Sequence, residues 1–543
     1  MDDVQPWWKK AVFYQIYPRS FADSTGDGVG DLDGIRQHLD HLVDLGVDAV
    51  WVSPFYPSPM CDGGYDISDY CDVDPTFGTL GHFDRLLAEA HDRGLRLIVD
   101  WVPNHTSDQH PWFQDSISST ASAHRDWYIW RDEPNNWRAA FTKGSAWTLD
   151  ERSQQYYLHF FLPQQPDLNW VNDEVVHAMH GVLRFWLDRG VDGFRIDVAH
   201  CVGKDPTFSD DPRCLAGEPI ASFNDQPRSH EVLRGVRSLV DTYPNDGMIV
   251  GEVNIRSTTA VVRYYGSGDE LNLTFNFPPL DAPWDAIVWQ SVINEVHEKL
   301  GGSGAWPTWV LSNHDNQRHR TRYGGSLERA WSAAVLLLTL RGTPFLFQGE
   351  ELGLEDAVIE PDEVVDPGGR DGARAPIPWT PQAPHGWDGD APWLPFPPDP
   401  ERHNAESEKQ DDRSTFALYS RLIEVRRANA ALQLGDFDDV EGMPHDVIAF
   451  RRSLDGDEWV TLVNFADATR DVALDGTWSV AVTSDRSGEG ERFDGHLLPD
   501  QAVLLHRVGR RDDSTCSAAT PRSRWRAATR SSGCSRTGSA GFG

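Results

Sequence analysis

Short apolar segments alternate with segments of helical period along most of this chain, and that rhythm constrains the fold more than any other feature. Val12 to Tyr17, Asp48 to Val52 and Leu95 to Val102 read as strands rich in β-branched and aromatic residues. Between them, Ile35 to Leu45 and Phe83 to Ala90 repeat apolar residues at helical spacing and stop at Gly46 and Gly94. Strand–helix–strand order predicts a parallel sheet, because parallel neighbours need a crossover and the helix supplies it. The rhythm resumes with a helix over Val175 to Leu187, then strands at Val191 to His200, Met248 to Val253, Leu271 to Phe277, Thr308 to Leu311 and Pro344 to Phe347. Eight strands at this spacing predict an α/β fold, a closed (β/α)8 barrel. In such a barrel functional side chains stand at the C-terminal strand ends, and Asp100, Asp197, Glu252 and Asp315 all fall there.

Three interruptions set the domain boundaries. Residues 106–172 are loop-like and aromatic, too long for a bare loop in a compact domain, and read as an inserted domain after the third strand. It divides the barrel into 1–105 and 173–433. A Pro- and Asp-rich loop runs from about Leu354 to Ala405. Over 434–510 short alternating segments with turns such as Asp455-Gly456-Asp457 predict a small antiparallel β domain. The tail, 511–543, is basic and aperiodic from Ser514 onward and reads as a disordered or artefactual extension, with a basic interaction tail as the alternative.

A formal net charge of -35 argues against nucleic acid or an anionic membrane as a partner. No signal peptide is visible, and the most apolar run, Ala333 to Leu340, is too short to span a bilayer. The six cysteines, at 61, 71, 201, 214, 516 and 534, form no paired framework. The expected setting is a reducing cytoplasm, with a Cys201–Cys214 disulfide as the alternative.

The stretch Gly193-Phe194-Arg195-Ile196-Asp197-Val198 carries the densest chemistry. Phe194, Ile196 and Val198 alternate with Arg195 and Asp197, so one face is apolar and the other holds a cation beside a carboxylate. That cation favours the ionised form of Asp197, as a nucleophile requires. Glu252, flanked by Val250, Gly251 and Val253, suits the raised pKa of an acid. Such a carboxyl pair can cleave a glycosidic bond, and three structural carboxylates are the alternative.

Asp23-Ser24-Thr25-Gly26-Asp27-Gly28-Val29-Gly30-Asp31 spaces oxygen donors like the start of an EF-hand loop, with Asp23, Thr25, Asp27, the Val29 carbonyl and Asp31 as candidate ligands. Gly34 stands where an EF-hand has its final Glu, so the expectation is a structural divalent ion or a plain Asp-Gly turn.

Val99-Asp100-Trp101-Val102-Pro103-Asn104-His105, Gly193 to Asp197, Gly251-Glu252-Val253 and Asn313-His314-Asp315 resemble, in order, four conserved regions of the α-amylase family of glycoside hydrolases. The resemblance covers about residues 6 to 508 and implies the same barrel, insertion and C-terminal β domain. It implies Asp197 as nucleophile, Glu252 as general acid/base and Asp315 as transition-state stabiliser, with His105, Arg195 and His314 holding the first sugar. Gln165-Pro166-Asp167-Leu168-Asn169 resembles the signature of the α-glucosidase and oligo-1,6-glucosidase branch. By the same resemblance Asp62 and Tyr65 close the far end of the pocket, Arg374 pairs with Asp62, and the Asp23–Asp31 loop holds Ca2+ or Mg2+ far from the chemistry. The implied substrate is a small oligosaccharide or disaccharide, cleaved from its non-reducing end with retention, by a monomer or homodimer. Val198 resembles 1,6-preferring relatives, whereas Leu271 to Phe277 and Ala282 to Ala286 look like α-glucosidases acting on maltose-like bonds. The reading adopted is an α-glucosidase with α-1,4 preference. Its alternatives are an oligo-1,6-glucosidase and a transglucosylase or isomerase of sucrose or maltose.

Overall fold

The computed structural model describes residues 5–255, 257–300 and 304–508. The expectation for the tail from 511 lies outside them.

Eight parallel strands form the barrel wall: β1 (Phe13–Ile16), β2 (Ala49–Val52), β3 (Arg96–Trp101), β4 (Gly193–Ile196), β5 (Met248–Gly251), β6 (Leu273–Thr274), β7 (Thr308–Val310) and β8 (Thr343–Phe347). The hydrogen-bonded order is β7-β8-β1-β2-β3-β4-β5-β6. Between β6 and β7 a side chain bridges the seam: Thr308 Oγ1 donates to the Thr274 carbonyl (2.8 Å) and accepts from the Asn276 amide (3.1 Å). The pleat sorts each strand into two environments. Phe13, Ala49, Trp51, Ile98, Met248, Val250, Leu273, Val310 and Phe345 fill the interior, while Tyr14, Val50, Val99, Phe194 and Ile249 pack under the helices. Gly193 must be glycine, because a Cβ there would lie 2.0 Å from the Met248 carbonyl oxygen on the next strand.

The helix expected over Ile35 to Leu45 is two helices, Leu32–Gln37 and Leu39–Leu45, joined at His38. The insertion between β3 and β4 carries a helix, Pro111–Ser118, and a three-stranded antiparallel sheet of Trp130–Arg131, Gln155–Leu158 and Trp147–Asp150. Its apolar side, with Trp137, Trp147 and Phe160, packs against Val198, Cys201 and Ile220 from the segment after β4. Cys201 and Cys214 share that cluster as free thiols, so the alternative disulfide is not formed.

A five-stranded antiparallel sheet follows the barrel, in the order Asp436–Asp439, Val447–Leu454, Asp457–Asn464, Ala502–Arg507, Trp478–Thr483. Asp500 ties it to the barrel through Trp284 Nε1 (2.7 Å) and Arg329 Nε (3.1 Å). Among the described residues no helix is long and apolar enough to cross a membrane.

Candidate active site

A cavity of about 360 Å3 opens at the C-terminal ends of the strands, and Asp62, Tyr65, His105, Asp197, Glu252, Asp315 and Arg370 line it. Each comes from a strand end or the loop after one, so the barrel brings together residues more than 300 positions apart.

Arg195 is the hub. On β4 its side chain turns into the barrel, 3% exposed, with its Cζ 5.1 Å from the Trp51 ring centre and 5.5 Å from that of Tyr65. Nη1 donates to Asp100 Oδ1 (2.6 Å) and Asp197 Oδ1 (2.7 Å), and Nη2 donates to Glu252 Oε2 (2.6 Å). Asp100 also accepts from Trp51 Nε1 (2.7 Å), which anchors the hub to the wall. One positive charge thus serves three carboxylates. Burial pushes Asp100 up to about 6, against the pull of Arg195. Burial also pushes Asp197 well above the usual carboxylate range, with Glu252 and Asp100 adding repulsion to what Arg195 takes away. Both findings correct the simple picture from sequence. Arg195 does not ionise Asp197 alone, because it is shared, and Glu252 is not in an apolar niche, because that guanidinium touches it. One guanidinium thus links the three acids, and burial keeps Asp100 and Asp197 raised despite it.

Asp315 has the opposite character. Burial raises it, but the Arg370 and Arg374 guanidiniums outweigh burial and hold it far below the ordinary carboxylate range. Arg370 Nη1 and Arg374 Nη2 both reach its Oδ1, at 2.8 and 3.0 Å. His314 stacks on Tyr65 with ring centres 5.3 Å apart and bonds Gln15 Nε2 through Nδ1 (2.7 Å). Burial lowers His314 and His105 to about 3, so both are neutral imidazoles at ordinary pH. His105 Nε2 lies 3.1 Å from Gln165 Nε2, and that amide donates to Asp62 Oδ2 (2.9 Å).

The guanidinium on Asp62 is Arg370, not Arg374. Arg370 Nη2 donates to Asp62 Oδ1 (2.5 Å) and Asp366 Oδ1 (2.6 Å), and the group lies over the Phe141 ring. Arg374 is held away by the His314 carbonyl (2.8 Å), Asp366 and Asp315. Sequence reasoning missed Arg370, Asp366 and Phe141. The Arg370-Asp371-Gly372-Ala373-Arg374 motif offered two equivalent cations, and only the loop's path separates them.

Val198 is not the third apolar residue of a regular strand. It adopts φ 34°, ψ 49°, a left-handed conformation that costs a β-branched residue of order 1–2 kcal/mol. The turn points its amide at Glu252 Oε2 (3.2 Å) and its side chain at the cavity. The backbone strain sits directly after Asp197, where it aims the chain from β4 across to the end of β5.

The Asp23–Asp31 loop lies elsewhere. Asp23 accepts from the amides of Thr25, Gly26 and Gly28, Asp27 from that of Val29, and Asp31 from Ser24 and the Gly34 amide. All five candidate donors are hard oxygens, the chemistry that calcium prefers. Among the described residues no group of three or more His, Cys, Asp or Glu converges into a metal cluster.

The family profile described as "Alpha amylase, catalytic domain" matches residues 15–435. This chain belongs to the α-amylase family of glycoside hydrolases. It is similar to a probable alpha-glucosidase of Rhizobium meliloti (strain 1021), 40% identical over 513 residues covering 87% of this chain and 92% of that one. It is 38% identical to an oligo-1,6-glucosidase of Parageobacillus thermoglucosidasius over 518 residues, 85% of this chain and 91% of the relative. The solved structure of the trehalulose synthase MutB from Pseudomonas mesoacidophila MX-45 superposes with a TM-score of 0.86 at 35% identity, covering 92% of this chain and 99% of that one. The chain is thus an α-glucosidase-type enzyme of this family.

Proposed function

We propose that this family member is an exo-acting, retaining α-glucosidase that releases glucose from the non-reducing end of maltose-like oligosaccharides. The observation that carries the reading is the single Arg195 guanidinium holding Asp197 and Glu252 side by side, opposite a firmly ionised Asp315. Acids bound to adjacent nitrogens of one guanidinium are close neighbours, and a short separation, roughly 5 Å, favours covalent double displacement over inversion. Asp197 attacks the anomeric carbon as Glu252 gives its proton to the leaving oxygen, so the glycosidic bond breaks as the glucosyl–Asp197 ester forms. Glu252 then takes a proton from water, whose oxygen displaces Asp197. Asp315, held ionised by two arginines, accepts hydrogen bonds from the sugar hydroxyls. The Asp62–Arg370–Asp366 lattice supports exo action by walling one side of the cavity.

A second reading has its own support, since the MutB structure is so similar: glucosyl transfer to a sugar rather than to water. Product chromatography on maltose, isomaltose and sucrose separates the two. Glucose release from maltose with retention by NMR is expected, and new disaccharides without net glucose release would sink the hydrolase reading.

The same proposal places a structural Ca2+ or Mg2+ on Asp23, Thr25, Asp27, the Val29 carbonyl and Asp31, supported by the oxygen donor set. It also places the enzyme in the cytoplasm, supported by four free thiols among the described residues.

A further inference from the structure

The opposite end of the barrel holds a second cavity of about 340 Å3, a volume within the range of small-ligand sites. It lies among the first helical turn, the starts of β1 and β3, and the last turn of helix Thr415–Ala428. Four cations line it, Lys10, Arg96, Arg426 and Arg427, with a single carboxylate, Asp48. In a chain of net charge -35 the local balance is inverted.

Two of the cations are held by acids. Arg427 Nη2 donates to Asp48 Oδ1 (2.9 Å), whose Oδ2 accepts from the Val12 amide (2.8 Å). Arg96 Nη1 donates to Asp192 Oδ1 (2.8 Å), and its guanidinium lies 4.5 Å over the Trp7 ring. The other two make no direct ion pair among the described residues. Lys10 makes no hydrogen bond or ion pair to a described residue. Arg426, 1% exposed, donates only to the carbonyls of Leu338, Leu432 and Gly342, and its Nε has no partner. Asp48 acts on Arg426 from a distance but is already paired with Arg427, so one carboxylate serves two guanidiniums here, and a phosphate is the anion whose geometry a guanidinium matches best. The cavity also offers more than charge, because Trp7 and Ile423 give it an apolar wall.

We propose that this floor cavity binds a phosphorylated small metabolite. Lys10, Arg426 and Arg427 hold the phosphate, and the organic part lies against Trp7 and Ile423. The site is separate from the glycosidase cavity and does not depend on the reading given to that cavity.

Calorimetric titration of the full chain with glucose 1-phosphate tests it, with inorganic phosphate and glucose as parallel arms. Saturable binding of glucose 1-phosphate with Kd below about 1 mM is expected, weakened at least about tenfold in Lys10→Ala and in Arg427→Ala. Asp197→Asn should bind the ester as the parent does, which separates the floor from the catalytic pocket. Hydrolysis of p-nitrophenyl α-glucoside should stay unchanged in Lys10→Ala, showing that the fold is intact. No saturable heat up to about 20 mM, or equal affinity in Lys10→Ala and Lys10→Glu, overturns the site. Inorganic phosphate binding as tightly as the ester overturns the role given to the Trp7 wall.

Discussion

Two acidic groups in this molecule have nearly the same composition and opposite means of support. At the strand ends Asp100, Asp197 and Glu252 surround one guanidinium and are short of positive charge, and burial raises Asp100 and Asp197. In the Asp23–Asp31 loop three aspartates accept hydrogen bonds from backbone amides and two hydroxyls, with no side-chain cation among those bonds. The first group is tense: its charges change value when a ligand or proton arrives. The second is quiet: amide donors satisfy each carboxylate locally and leave lone pairs for a hard cation. Acidity alone therefore says little about function. What supplies the compensating charge decides whether a carboxylate reacts or merely holds structure.

The largest expected effect breaks the comparison if it fails. Asp197→Asn should lower kcat at least about 10³-fold with the far-UV circular dichroism unchanged, since it removes the group proposed to attack. Asp27→Asn should leave kcat within about twofold. Equal losses in the two variants would mean that the two acidic groups are not distinct in kind.

The next effect, about tenfold, separates the two arginines of one motif. Arg370 reaches Asp62 and Asp315 inside the cavity, whereas Arg374 is fully buried against Asp366 and the His314 carbonyl. Arg370→Ala should raise KM about tenfold with a small change in melting temperature. Arg374→Ala should lower the melting temperature most, because it empties a fully buried site and removes one of the two cations that Asp366 and Asp315 share. The reverse ranking would restore Arg374 as the pocket arginine.

That ranking also marks where sequence stops being legible. The barrel strands are readable because each is buried on both faces. Phe13–Ile16, Ala49–Val52 and Met248–Gly251 are buried throughout, so apolar runs survive in the sequence. The acids at their ends are equally visible, since Asp or Glu closing an apolar run has few structural excuses. The inserted sheet is not readable. Trp147–Asp150 alternates irregularly between buried and exposed, and Trp130–Arg131 is two residues long. The left-handed turn at Val198 is invisible for a different reason: a β-branched residue gives no local hint of positive φ, and the packing around β4 and β5 imposes it. Arg370 and Arg374 are one turn of chain apart in a loop, and partner choice there is tertiary.

A smaller effect tests the quiet loop directly. Removing divalent ions with EDTA should lower the melting temperature by several degrees, and excess calcium should restore it, while Asp23→Ala should respond to neither. An identical response in Asp23→Ala would place the ion elsewhere.

The smallest effect concerns a third way to hold an acid, in which burial outweighs the groups around it. Glu350 follows β8, is 2% exposed, and both its carboxyl oxygens lack a hydrogen-bond partner. Burial pushes its pKa up to about 8 from the ordinary 4.5, so the folded chain keeps a proton that the unfolded chain loses. The sign follows. This group's contribution is fully present below about pH 4.5, and it drains away as pH rises towards 8. Glu350→Gln mimics the protonated carboxyl and does not titrate. Urea midpoints of parent and variant should agree near pH 5, and the variant should be the more stable above pH 8. Between those limits the gap should widen by at most about 1.4 kcal/mol per pH unit. Parallel curves would mean that Glu350 stays ionised in the folded chain, held by Arg318 or His319, and it would then belong with the tense carboxylates around Arg195.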